Sequence, residues 1–142
     1  MFETTLRVQY FDTDKMMVMH HANYIRYFET ARTEYIRAEG MSYADMEKED
    51  FQMPVLAVEV EFKEPAVYDE EIVIGCRISK LSHASMEMEY EVRSKENGKL
   101  HAKGKSRHGF TNRALRPVPL KKKQPEMYAF FKRLHEESSE EK

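Results

Sequence analysis

Apolar and polar positions alternate from the start of the chain. Phe2, Thr4, Leu6, Val8 and Tyr10 fall on one side and Glu3, Thr5, Arg7 and Gln9 on the other, the two-residue period of a strand. The pattern breaks over residues 11–22. Tyr24, Tyr27, Phe28, Ala31, Tyr35 and Ile36 then form one stripe of a 3.6-residue period, which predicts a helix from Tyr24 to Glu39 with an aromatic face at the centre of the core. Asn23 suits the N-cap of that helix and Gly40 the position just past its end. Arg26, Glu29, Arg32, Thr33 and Arg37 are expected on the opposite, solvated face. A second helix is expected to start at Ser42, which would cap it, with Met41 and Met46 placed as a hydrophobic staple.

After Pro54 the period returns to two. Leu56, Val58, Val60 and Phe62 share a face, then Ile72, Ile74, Cys76 and Ile78, then Met86, Met88, Tyr90 and Val92, and residues 99–111 return after Asn97-Gly98. A two-residue loop at Asn97-Gly98 would set Met88 against Arg107 and Tyr90 against Lys105, putting charges on the apolar face. A three-residue loop, Glu96-Asn97-Gly98 with Gly98 left-handed, pairs Glu91 with Lys103, Glu89 with Lys105 and Glu87 with Arg107. A one-residue slip reverses every side chain, so the three-residue loop is the expected one. The four later strands are expected as an antiparallel meander, followed by a short helix from about Gln124 to Glu136. One apolar-faced helix on an antiparallel sheet is an α+β architecture. The 142 residues are read as one domain, with 136–142 as a frayed tail.

Composition narrows the possibilities. A net charge of −2 gives no basic surplus for nucleic acid. No apolar run approaches the ~20 residues of a membrane span. The single cysteine, Cys76, permits no internal disulfide, and with no signal peptide at the start of the sequence a reducing cytoplasm is expected.

The polar residues that could carry chemistry gather in the irregular segment before the aromatic helix: Asp12, Thr13, Asp14, His20 and His21. A helix start offers unpaired N–H groups and a partial positive charge. Such groups can polarise a carbonyl, and a carboxylate beside them can attack it or activate water. A metal site is the weaker reading, because adjacent histidines rarely bind one ion and no metal-ligand spacing is present. No metal and no cofactor are expected.

The run Arg7-Val8-Gln9-Tyr10-Phe11-Asp12-Thr13-Asp14, continuing through Val18 to His21-Ala22-Asn23-Tyr24, resembles the active-site segment of the 4-hydroxybenzoyl-CoA thioesterase family and its YbgC-like branch. The Glu64–Asp69 turn is similar too. The resemblance implies a hotdog fold, a curved antiparallel sheet wrapped around one long central helix. It implies hydrolysis of an acyl-CoA thioester by Asp14, acting as nucleophile or general base. It gives His21 the helix-start position whose backbone N–H faces the thioester carbonyl, and Asn23 and Tyr24 the shaping of the acyl pocket. Asp12 matches a structural loop position. Where the family usually has Gly, this chain has Met17, so either the loop takes another path or Met17 fills part of the acyl pocket. The family's sites lie at a dimer interface, which implies a homodimer or a tetramer of dimers. Lys63, Lys103, Lys105, Arg107, Arg113, Arg116 and Lys121 are candidates for the CoA phosphates, with none assigned. The alternative to hydrolysis is a hotdog protein that binds acyl-CoA or acyl carrier protein without turnover.

Overall fold

The computed structural model describes residues 1–140; of the tail expected to fray, 141–142 lie outside them. The elements are β1 (Phe2–Arg7), a single 3-10 turn (Tyr10–Asp12), α1 (Ala22–Ala38), α2 (Tyr43–Lys48), β2 (Val55–Phe62), β3 (Glu71–Leu81), β4 (Ser85–Ser94), β5 (Leu100–Gly109), α3 (Leu120–Lys123) and α4 (Pro125–Glu140). The strands form one antiparallel sheet in the order β1-β3-β4-β5-β2.

The expected four-strand meander is therefore corrected. Only β3, β4 and β5 follow one another; β2 lies at the far edge, beyond β5. Alternation along a strand decides which side chains share a face, not which strand lies next door. Charge matches the observed neighbour: Glu59 stands opposite Lys105 and Glu61 opposite Lys103. Because β2 and β3 are far apart, residues 63–70 must cross between them.

The β4–β5 register is the one that face consistency demands. Glu91 faces Lys103, Glu89 faces Lys105, Glu87 faces Arg107 and Met88 faces Ser106. The turn itself differs from the expected three-residue loop. Ser94 N–H bonds Lys99 O at 2.9 Å, enclosing Lys95–Gly98, with Gly98 left-handed at φ +73°. Partners shift between Val92–Ala102 and Arg93–Leu100, so His101 is an extra residue on β5. Such a bulge redirects a side chain, and here the redirected one is buried.

α1 packs its stripe into the sheet. Tyr24, Phe28, Ala31, Tyr35 and Ile36 are buried against Ile72, Ile74, Cys76, Ile78, Met86, Met88, Tyr90 and Val92. The helix ends as expected: Gly40, at φ +106°, sends its N–H to Arg37 O, and Met41 sends its N–H to Ile36 O. Ser42 and Asp45 exchange hydrogen bonds in a capping box at the start of α2.

Two expectations for the helices change. Arg32, assigned to the solvated face, is buried, because position 32 lies one turn from both Phe28 and Ile36 on the inner side. Its Nε donates to Tyr43 OH and its Nη1 to Tyr90 OH, each at 3.0 Å. Burial works against its charge, but the two tyrosine oxygens outweigh that and hold its pKa above the ordinary value. The closing helix also runs past 136 to Glu140: Ser138 is buried, with its Oγ 3.4 Å from Tyr35 OH.

Candidate active site

The segment before α1 is held by Asp12. Its Oδ2 accepts from Gln9 N–H at 2.9 Å and from Tyr27 OH at 2.5 Å, and its carbonyl accepts from His20 N–H and from Asn23 Nδ2, both at 2.8 Å. Burial, then the Asp12 contact, raises the Tyr27 pKa, so Tyr27 stays a donor. Asp12 is buried and has the structural role read for it. Asn23 is not the N-cap. The helix begins at Ala22 with His21 at the cap, and Asn23, already inside the first turn, donates its Nδ2 to the loop at Asp12 O.

Asp14 stands at the foot of a tight hairpin. Its N–H bonds Val18 O at 2.9 Å, and Met17 N–H returns to Asp14 O at 3.0 Å. Met17 takes φ +64°, the left-handed position that closes a three-residue hairpin loop and that Gly usually fills. The loop thus keeps a glycine-like path. Met17 points outward, half exposed, and does not line the cavity beneath; Met16 does. The hairpin leans on the crossing segment through Met19 N–H to Ala66 O, 2.8 Å, and a bridge between Val18 and Val67.

Asp14, Met16, Val18, Met19, His21, Tyr24, Phe62, Lys63, Glu64, Pro65 and His101 line a cavity of about 190 Å³. Phe62 meets the rings of Tyr24 and His21 edge-on, and His21 stacks on His20. Tyr24 is buried, and burial raises its pKa, so the phenol stays neutral. A larger concavity, about 580 Å³, runs between the charged rows of β2, β4 and β5. The smaller one is the better candidate because a carboxylate, a helix start and an aromatic wall meet there.

Within the cavity Asp14 Oδ1 accepts Met16 N–H at 2.8 Å. Among the described residues, no hydrogen bond engages Oδ2. At the helix start, the amides of His20, Ala22, Asn23 and Tyr24 are bonded to Asp12 O, His20 Nδ1, His20 O and His21 O. The His21 N–H is the amide of this turn left without a partner among the described residues. The expected row of free amides is thus a single donor.

The structure brings together Asp14, His21 and Tyr24. Asn23 lies behind them and Met17 outside. Phe62, Met16, Lys63 and His101 were not singled out from the sequence as pocket residues; Phe62 and His101 are far from the motif in the chain and arrive through the β2 crossing and the β5 bulge. No group of three or more His, Cys, Asp or Glu side chains that could hold a metal ion occurs among the described residues.

A curved five-stranded antiparallel sheet around one buried helix, with a carboxylate hairpin at the helix start, defines a hotdog-fold protein of the thioesterase type. The chain belongs to the thioesterase-like superfamily, whose family model matches residues 8–132. It is 31% identical to the acyl-CoA thioester hydrolase YbgC of Escherichia coli O6:H1 over 97 residues, 68% of this chain and 72% of that one. The solved structure of DHNA-CoA thioesterase from Staphylococcus aureus superposes with a TM-score of 0.89 at 30% identity, covering 99% of this chain and 94% of that one. That of hypothetical protein TT1821 from Thermus thermophilus gives 0.87 at 28% identity, covering 95% and 100%.

Proposed function

We propose that this chain hydrolyses acyl-CoA thioesters. The observation that carries the reading is the meeting, in one cavity, of the Asp14 carboxylate and the helix start whose unpaired amide belongs to His21. The family membership and the acyl-CoA hydrolase named among its relatives support it.

In this mechanism the thioester carbonyl oxygen takes the His21 N–H, the direction in which the helix dipole also favours negative charge. Asp14, held by Met16 N–H, attacks the carbonyl carbon or removes a proton from an attacking water. Coenzyme A leaves as the thiolate; where Asp14 has attacked, water then opens the mixed anhydride to release the free acid and restore the carboxylate, and where Asp14 has activated water the free acid forms directly. Tyr24, Phe62 and Met16 supply the apolar wall for the acyl group, and the 190 Å³ cavity suits a group near benzene in size. Lys63 borders the cavity and is the cation best placed for the CoA side.

A homodimer joined along β2 fits the same reading. β2 is an edge strand, and Val55, Leu56, Val58 and Phe62 are exposed along it. Phe62 belongs both to this edge and to the cavity wall, so a second copy on the edge would cover the site.

A thiol-release assay over a panel of acyl-CoAs tests the function. Asp14→Asn, which keeps shape and removes the carboxylate, is expected to lower kcat by roughly 10²- to 10⁴-fold. A wild-type protein that binds acyl-CoA but releases no thiol from any of them would replace hydrolysis with binding.

A further inference from the structure

Two side chains, one of them in the cavity wall, have no part in the hydrolysis just described. His101, the extra residue of the β5 bulge, is 5% exposed. Its Nδ1 is 2.7 Å from Glu64 O and its Nε2 is 2.5 Å from Glu70 Oε2. A backbone carbonyl only accepts, so Nδ1 carries a hydrogen. A bare Nε2 could not face an ionised carboxylate oxygen at that distance, so this contact also needs a proton. The ring thereby links Glu64 and Glu70, with one proton lying in each contact.

These two partners belong to the two ends of one segment. Glu64 begins the crossing between β2 and β3, and Glu70 ends it. The middle of that crossing carries the Asp14 hairpin, through Met19 N–H to Ala66 O and the Val18–Val67 bridge, and Val18 O in turn holds Asp14 N–H. Glu70 adds a second tie, its Oε1 accepting Val67 N–H at 3.2 Å. We propose that the hydrogen-bonded His101–Glu70 pair is a clamp that positions Asp14, acting through the crossing segment that carries the Asp14 hairpin. The charged and titratable groups around the pair are Asp14, His21, Tyr24, Lys63 and Glu64 on the cavity side and Tyr68, Asp69, Glu96 and Lys99 on the other, with Glu64 paired to Lys99. The clamp's catalytic role rests on the reading of Asp14 as the working carboxylate.

Both side chains are largely shielded from water at this contact. A hydrogen bond shielded from water is electrostatically stronger than one in solvent, so the pair ties the two ends of the crossing firmly.

Nitrogen-15 NMR of histidine-labelled protein near neutral pH tests the clamp without any substrate. The Nδ1 of His101 is expected to carry a proton, and Glu70→Gln is expected to shift the Nε2 resonance by removing its carboxyl partner. Amide exchange of Asp14 and Met19 is expected to accelerate in Glu70→Gln. In the thiol-release assay the same variant is expected to lose roughly 10- to 100-fold in kcat with KM little changed, the pattern of a displaced catalytic group. A wild-type His101 ring with no proton on Nδ1 overturns the proposal, and so does a folded Glu70→Gln protein with unaltered exchange and kcat. Because the ring-nitrogen and exchange measurements need no turnover, a chain that hydrolyses no thioester loses the hydrolase reading while the clamp still stands or falls on them.

Discussion

At the scale of single residues, two positions show how space and backbone angle decide side-chain choice. A Cβ on Gly104 would lie 2.5 Å from the Phe28 ring and 2.6 Å from Glu59 O. Phe28 stacks on Tyr90 with centroids 4.3 Å apart, so the ring cannot retreat. Gly104→Ala is expected to destabilise the fold by about 1–3 kcal/mol, read from the denaturant midpoint. Met17 is the opposite case: a β-carbon stands where the backbone is left-handed. Met17→Gly is expected to raise stability by up to about 1 kcal/mol, since relief of the left-handed penalty is partly cancelled by the extra freedom of Gly when unfolded. An unchanged or lower denaturant midpoint would show that the loop is not strained.

Between elements, a polar chain crosses the core. Arg32 on α1 donates to Tyr90 on β4; Tyr90 OH and Ser106 Oγ on β5 are 2.7 Å apart, and Ser106 Oγ is 2.7 Å from His108 Nε2. With Arg32 donating, the chain runs toward Nε2 as final acceptor. The hydrogen then sits on Nδ1, which turns toward the Met53 backbone without closing a hydrogen bond. Burial first, and the Arg32 charge second, push the His108 pKa down from 6.5 to about 4. The unfolded chain takes up this proton as pH falls through 6.5, and the folded chain does so only near 4. The native state is therefore unaffected by this group above 6.5 and loses stability as pH falls from there toward 4, at up to ~1.4 kcal/mol per pH unit. Urea midpoints over that range should fall more steeply for the wild type than for His108→Gln. Equal slopes would mean that His108 is not held neutral by the core.

For the whole molecule, the exposed apolar edge of β2 is the feature that one copy of the chain leaves unfinished. Sedimentation velocity at micromolar concentration is expected to show at least a dimer of the 16.9 kDa chain. Val58→Lys is expected to shift it toward monomer and to lower thioesterase activity with it. A wild type that sediments as a monomer would remove the edge-to-edge assembly. No helix among the described residues is long and apolar enough to cross a membrane.

The sequence by itself determined what repeats locally. The stripe of α1, the Gly40 helix end, the Ser42 cap, the faces of β3 and β4, and the register that sets Glu89 against Lys105 all follow from period, turn residues and charge within short reach. The Asp14–His21 motif was legible for the same reason, since its members lie within one hairpin and one helix turn. Tertiary structure alone decided what depends on distant neighbours. It placed β2 beyond β5, buried Arg32 between two tyrosines, turned Asn23 from a cap into a loop tie, and left one helix-start amide unpaired. It also brought Phe62 and His101 to the cavity, because a strand crossing and a one-residue bulge carry residues together that no local pattern connects.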